Sequence, residues 1–329
     1  MRPWQPMGGS ARRRTRRARW GAGALVACGL ASVGAGVDVR QPPRTVKINF
    51  FANIVDGDFG SLYLMSGGDC HALVIGAEDE TLVIDTKRSS GCGAPILAKV
   101  KNVTDMPVTR IINTSARNSA SNAKFTIATD IIAHEHTKAN MAGLPAFSGA
   151  GTSFLPNRTF ADSLLFRETT TGEESGKNRV ELHHFGPAAT NGDIVVVLPQ
   201  YGVVFLGDIY PGKMVPAVDR ASGSSMLAFP GRLDRLVATL KGLTSVPIVV
   251  PGCAPPSPDT ILSHWATASD VEEYARFVRD FVAAGTHARK AGASVDAAVA
   301  GLDLATRYKG YAMDNARAVM VVLYEELGQ

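Results

Sequence analysis

The stretch from His184 to Asp208, HFGPAATNGDIVVVLPQYGVVFLGD, leaves few folds open to this chain. Asn191-Gly192 is a tight-turn pair and Asp193 to Leu198 is a short apolar run. Gln200-Tyr201-Gly202 then turns the chain into a second run, Val203 to Leu206, which closes at Gly207-Asp208. Turn, run, turn and run in that order make two neighbouring strands. They place a polar loop and an acid at one edge of a sheet.

The remaining elements can be set around that edge. Val46 to Ile54, Ser61 to Met65, His71 to Ile75 and Thr81 to Ile84 are short apolar or alternating runs parted by turn residues, and they read as a meander of strands. Ala94 to Val100 fits a helix, while Val108 to Asn113, Thr129 to Ala133 and Val180 to Phe185 fit strands. Residues from Gly143 to Thr171 are rich in Gly, Ser, Thr and Pro and show little periodicity, so they read as a long excursion near the mouth of the site, where they could contribute to a ligand pocket. Leu233, Leu236, Val237 and Leu240 recur at helical spacing before Gly242, and a buried strand, Val246 to Val250, leads into Pro251-Gly252-Cys253-Ala254. A further helix opens at Ser269 with Glu272 in capping-box position, and others cover Val295 to Leu302 and Asp314 to Leu327. The last carries Ala316, Met320, Leu323 and Leu327 on one face, either a packing face or a dimer contact.

The segments GPAATNGD, LGD and VVPGC, in this strand order, resemble the metallo-β-lactamase-fold hydrolases over roughly residues 45 to 285. The resemblance implies an α/β (α+β) fold, an αββα four-layer sandwich, to which residues 286–329 add a C-terminal helical extension. It also implies a metal site, and here the chain departs from the pattern. After Asn113-Thr114 the family carries HxHxDH, whereas this chain has Ser115, Arg117, Ser119 and Ala120 at the four ligand positions. Asn122 arrives about two residues early, so the loop is shorter as well. Ala189 stands where GPAHTxGD would supply a histidine, and Cys253 stands where PGHG would supply the last one. Asp208 is kept, and Asp85 falls where the family has an acid supporting the metal, although a turn acid reads equally well there.

Of the seven expected ligand positions, Asp208 and Cys253 alone carry groups that bind metal, and catalytic zinc generally takes three protein ligands. His183 and His184 are neighbours on one strand, so at most one faces the site. His134 and His136 read as surface or helix-capping residues rather than ligands. The expectation is therefore no cofactor and no catalytic residue, with Ser115, Arg117, Ser119, Ala120, Ala189, Asp208 and Cys253 lining a vestigial metal site that takes a small-molecule ligand. The alternative is an active hydrolase of ester, thioester or lactam bonds, holding zinc through Asp208, Cys253 and a histidine recruited from His183 or His184, with His184 preferred. Because a buried acid needs a cation or a proton, Arg117 is expected to approach Asp208 in place of the metal.

Seven arginines and no acid occupy the first twenty residues, and an apolar run of small residues follows from Trp20 to Val37. This is the pattern of an export signal over residues 1–37, with 38–44 as a linker. Leu25-Val26-Ala27-Cys28 also looks like a lipobox, so the expected location is periplasmic or cell-envelope, with membrane contact only through the signal or a lipid anchor. Removing the seven arginines takes the formal charge from +4 to −3, which leaves no nucleic-acid footprint. Cys70, Cys92 and Cys253 would then remain, enough for one disulfide, and Cys70 with Cys92 is the preferred pair because both flank one strand.

Overall fold

The computed structural model describes residues 44–48, 61–66, 70–76, 80–89, 93–167, 179–243, 248–253 and 265–328. The expected signal, its lipobox cysteine, Cys92 and the far end of the first expected strand lie outside them. The strands β1 (Arg44–Ile48), β2 (Ser61–Ser66), β3 (Ala72–Gly76) and β4 (Thr81–Ile84) form the antiparallel meander. The helix α1 (Gly93–Val100) then leads to β5 (Val108–Asn113), β6 (Asp130–His134), α2 (Glu135–Ala142) and β7 (Arg158–Phe160), with β5, β6 and β7 added in parallel. These seven strands make one sheet, in the order β1-β2-β3-β4-β5-β6-β7.

The second sheet uses β8 (Ser163–Arg167), β9 (Arg179–His184), β10 (Ile194–Leu198), β11 (Val203–Phe205) and, after helix α3 (Phe229–Gly242), β12 (Ile248–Val250). Its order is β12-β11-β10-β9-β8. The segment read as a long excursion of little periodicity therefore supplies an edge strand to each sheet. β7 is only three residues long, and β8 completes its pairing through β9, so neither has the period needed to be seen locally.

Why the central strands read as unbroken apolar runs follows from the layers. In β10, Ile194, Val196 and Leu198 point between the sheets, where they meet Leu73, Ile84 and Ile112. Val195 and Val197 point to the other side, against Leu233, Phe277 and Phe281. Both faces are buried, so no polar alternation survives. Helix α1 covers the outer face of the first sheet through Ile96 and Val100. The outer face of the second is covered by α3 and α4 (Ala268–Lys290), and α5 (Val295–Ala300), α6 (Leu304–Arg307) and α7 (Ala316–Leu327) share the same core. The result is the expected αββα arrangement. The boundary expected at residue 285 falls inside α4, and Leu304, Val319 and Leu323 pack in one cluster with Val204 and Val249 of the second sheet. The capping box of α4 is formed by Thr267 and Asp270 rather than by Ser269 and Glu272: Asp270 accepts from the Thr267 amide at 2.8 Å, and Thr267 Oγ1 accepts from the Asp270 amide at 3.3 Å.

The disulfide corrects a second expectation. Cys70 pairs with Cys253, not with Cys92, across a sequence separation of 183 residues and a Cα–Cα distance of 4.4 Å. Nearness along the chain misled here, because the bond that matters joins the start of β3 to the loop after β12. The amide of the next residue, His71, donates to the Gly252 carbonyl at 2.7 Å, and its ring Nδ1 lies 2.9 Å from the Pro251 carbonyl. This strap ties an end of the first sheet to an end of the second. Reducing it should lower unfolding free energy by about 2–4 kcal/mol, because the open chain regains loop entropy. Urea melts with and without reductant measure the difference. Identical midpoints would mean that the strap carries no stability.

Candidate functional site

Five chain segments converge where the two sheets meet, and Asp208 lies at the centre. Gly207 precedes it with a φ of +50°, in the left-handed region that favours glycine, and a Cβ there would stand 2.6 Å from Thr114 Oγ1. Gly252 packs still closer, since a Cβ on it would meet the Gly207 carbonyl oxygen at 2.1 Å. The glycines of LGD and VVPGC therefore let two loop backbones touch. Asp208 is only 3 % exposed.

Its carboxylate is fully engaged. Arg88 Nη2 donates to Oδ1 at 2.7 Å, and Asn118 Nδ2 donates to the same oxygen at 3.2 Å. Ser115 Oγ donates to Oδ2 at 3.2 Å, and Arg117 Nε stands 3.7 Å from that oxygen. Arg117 thus makes the approach to Asp208 anticipated from sequence, while its Nη1 donates to the Ala217 carbonyl at 2.7 Å. Burial alone would raise the Asp208 carboxyl, but Arg88 and Arg117 hold it well below the usual carboxylate range. For Arg117, burial pulls the guanidinium down against the upward pull of Asp208. An arginine in a protein keeps its proton, so Arg117 remains a cation.

Arg88 is the closer cation, and sequence reading missed it. It is delivered by an irregular turn after β4 in which two non-glycine residues, Asp85 and Lys87, adopt positive φ of 63° and 77°. Such backbone persists only where its surroundings enforce it. Here the amides of Asp85 and Thr86 donate to the Ile112 and Asn118 carbonyls, and the Lys87 carbonyl accepts from Ala120. Lys87 is itself buried, with Nζ donating to the Met65 carbonyl at 3.1 Å. The signal available in the sequence was an arginine three residues beyond Asp85, at the same sheet edge.

Two more acids are buried nearby. Asp85 accepts from the Thr114 amide at 2.8 Å and from its hydroxyl at 2.6 Å, so it anchors the loop that carries Ser115 and Arg117. Asp193 accepts from the amide and hydroxyl of Thr190 at 2.6 and 2.8 Å, which closes the TNGD turn on itself. Burial pushes Asp85 up to about 8 and Asp193 up to about 7, and the Asp208 charge adds to both. Asp208 is thus the one of the three held most firmly in its ionised form.

The other expected site residues are structural in this arrangement. Ser119 Oγ donates to the Ala116 carbonyl at 2.6 Å, the Ala120 amide bonds Lys87, and buried Ala189 accepts the Asp219 amide through its carbonyl at 2.9 Å. His184 Nδ1 lies 2.9 Å from the Asp193 carbonyl, and its ring stacks on His134 with centroids 3.9 Å apart. His134 caps α2, as one reading of the sequence had it, but is buried rather than on the surface, and burial pushes it down to about 4. His183 turns the other way in the strand and pairs with Glu181 at 3.1 Å.

Zinc does not fit the donors in this state. Among the described residues, the close group of three is Cys70, Asp208 and Cys253, with ligand atoms all within 4.8 Å of one another. Two of them share a disulfide, whereas cysteine binds a metal as its thiolate. The third already has two cationic neighbours. What the arrangement does offer chemically is two guanidiniums, 29 % and 21 % exposed, fixed beside a buried anion.

Removing one cation should leave a buried charge undercompensated. Arg88→Ala is expected to cost about 3 kcal/mol, near the low end for a broken buried pair, and Arg117→Ala less because its contact is longer. Both losses should shrink in an Asp208→Asn background, as read by urea unfolding. Purely additive losses would show that the three side chains are not coupled.

No protein-family model matches the chain, and no curated protein matches its sequence. Solved structures do match. A metallo-beta-lactamase from Pontibacter korlensis is 17% identical, with a TM-score of 0.51 over 72% of this chain and 99% of that one. The stereoselective inverting sec-alkylsulfatase Pisa1 from Pseudomonas sp. is 13% identical, with a TM-score of 0.58 over 80% of this chain and 48% of that one. The chain therefore spans about half the length of the sulfatase. At such identities the likeness carries the architecture and not the chemistry, and with the strand order of both sheets it shows that this chain has the metallo-β-lactamase fold.

Proposed function

We propose that the protein is an exported pseudo-hydrolase, a metallo-β-lactamase-fold scaffold in which a charged side-chain cluster has taken the place of a working metal centre. The observation that carries this reading is the Arg88–Asp208 contact of 2.7 Å, with Arg117 beside it and Cys253 tied up in a disulfide. While Cys253 stays oxidised, the Asp208 carboxylate, which accepts three hydrogen bonds and has a second guanidinium at 3.7 Å, is a single donor, too few to hold a catalytic cation. Any ligand entering this mouth meets the exposed edges of two guanidiniums, which favours a small anion.

Export is supported by the arginine-rich start, the apolar run behind it and the disulfide, which suits an oxidising compartment. The competing reading, a hydrolase with zinc held by Asp208, Cys253 and His184, finds less support. His184 belongs to the stack with His134, and the close donor group contains no histidine.

Elemental analysis of untagged protein, with its free thiols counted in the same sample, tests the proposal. The expected result is intact disulfide and well under one equivalent of zinc, manganese or iron. A full equivalent of metal surviving dialysis on the oxidised chain would overturn it, as would turnover of ester, thioester or lactam substrates that a chelator abolishes.

A further inference from the structure

The disulfide lies against the acid that the charged cluster keeps ionised. Cys70 and Cys253 are each 3 % exposed, as is Asp208, and the two sulfurs and a carboxylate oxygen form a triangle with no side above 4.8 Å. Zinc bonds of about 2.3 Å to sulfur and 2.0–2.2 Å to oxygen set tetrahedral donors roughly 3.5 Å apart. Parting the two sulfurs is thus the main movement needed. The loop ends are also held together without the S–S bond, by the His71 amide on Gly252 and the His71 ring beside Pro251.

We propose that reduction of Cys70–Cys253 turns this cluster into a site for a thiophilic divalent cation, with Cys70 Sγ, Cys253 Sγ and the Asp208 carboxylate as its protein ligands. The site differs from the one implied by the sequence resemblance, because Cys70 comes from the start of β3, which contributes nothing to that site, and because no histidine takes part. It is compatible with the proposed lack of a working metal centre in the oxidised protein, since the two thiolate donors exist only after reduction.

The chemistry balances. A dithiol reductant gives two electrons and two protons to the disulfide, leaving two thiols and closing to its own disulfide. The cation then displaces both thiol protons to solvent. Charge is conserved as well. In the oxidised cluster Asp208 and two guanidiniums sum to +1, and in the loaded cluster three anionic donors, two guanidiniums and a divalent ion again sum to +1. Arg88, 29 % exposed on its side chain, has a path toward solvent while one carboxylate oxygen turns to the metal. Zinc would thereby replace a covalent strap with a coordinate one.

The test uses the full chain carrying Cys28→Ser and Cys92→Ser, so that the remaining thiols are the two in question. It is titrated with Co2+ before and after treatment with a phosphine reductant. The expected result is a thiolate-to-cobalt charge-transfer band that saturates at about one equivalent in the reduced chain only. Zinc should displace it, and should raise the melting temperature of the reduced chain but not of the oxidised one. Asp208→Asn should weaken binding at least tenfold, and Cys70→Ser should abolish the band. A reduced chain that keeps its far-UV circular dichroism without binding cobalt would overturn the proposal. So would loss of that dichroism on reduction, equal binding by the oxidised chain, or unchanged binding in Asp208→Asn.

Discussion

A buried carboxylate held ionised by two guanidiniums is the interaction on which this site depends. Asp208 sits at the end of β11, where removal from water opposes its charge, and a carboxylate there is tolerable only with compensation close by. Arg88 comes from the turn after β4, Arg117 from the loop after β5, and Ser115 and Asn118 add hydrogen bonds from that same loop. Two separate loops are thus fixed around an anion carried by a third. Such a cluster adds little net stability over an apolar core, yet it strongly penalises any arrangement that leaves one member alone. Its effect is to specify which loops meet.

Backbone contacts and one covalent bond complete the convergence. Gly207 and Gly252 allow the β11 and β12 loops to touch, and the Cys70–Cys253 disulfide with His71 draws the start of β3 onto them. The sulfurs lie beside the same carboxylate, so strap and ion cluster form one unit. This explains how the sheet edge holds a defined shape: ion pairs, hydrogen bonds and a disulfide connect loops from both sheets.

Much of the fold was legible in the sequence because burial on two faces leaves unbroken apolar runs, as in β10, and because turn residues mark their ends. That Ser115, Arg117, Ala189 and Cys253 stand where the resemblance implies metal ligands could be read residue by residue once GPAATNGD, LGD and VVPGC were in place. Arg88 was not legible, since it reaches Asp208 through two non-glycine residues at positive φ that no local preference announces. The Cys70–Cys253 pair was missed because its partners lie far apart in sequence and meet only when the two sheets pack. β7 and β8 escaped for a related reason, as short edge strands whose pairing partners supply their order.

The central claim is that Arg88 and Arg117 take over the electrostatic part a metal would play at Asp208. A carbon-detected NMR titration of the aspartate side chains on metal-free, oxidised protein measures this directly. The account predicts that the Asp208 carboxyl remains ionised well below 3.8, its ordinary value, and that Arg88→Ala moves its titration upward. A carboxyl that titrates at or above 3.8 in the intact protein, unmoved by loss of Arg88, would contradict it.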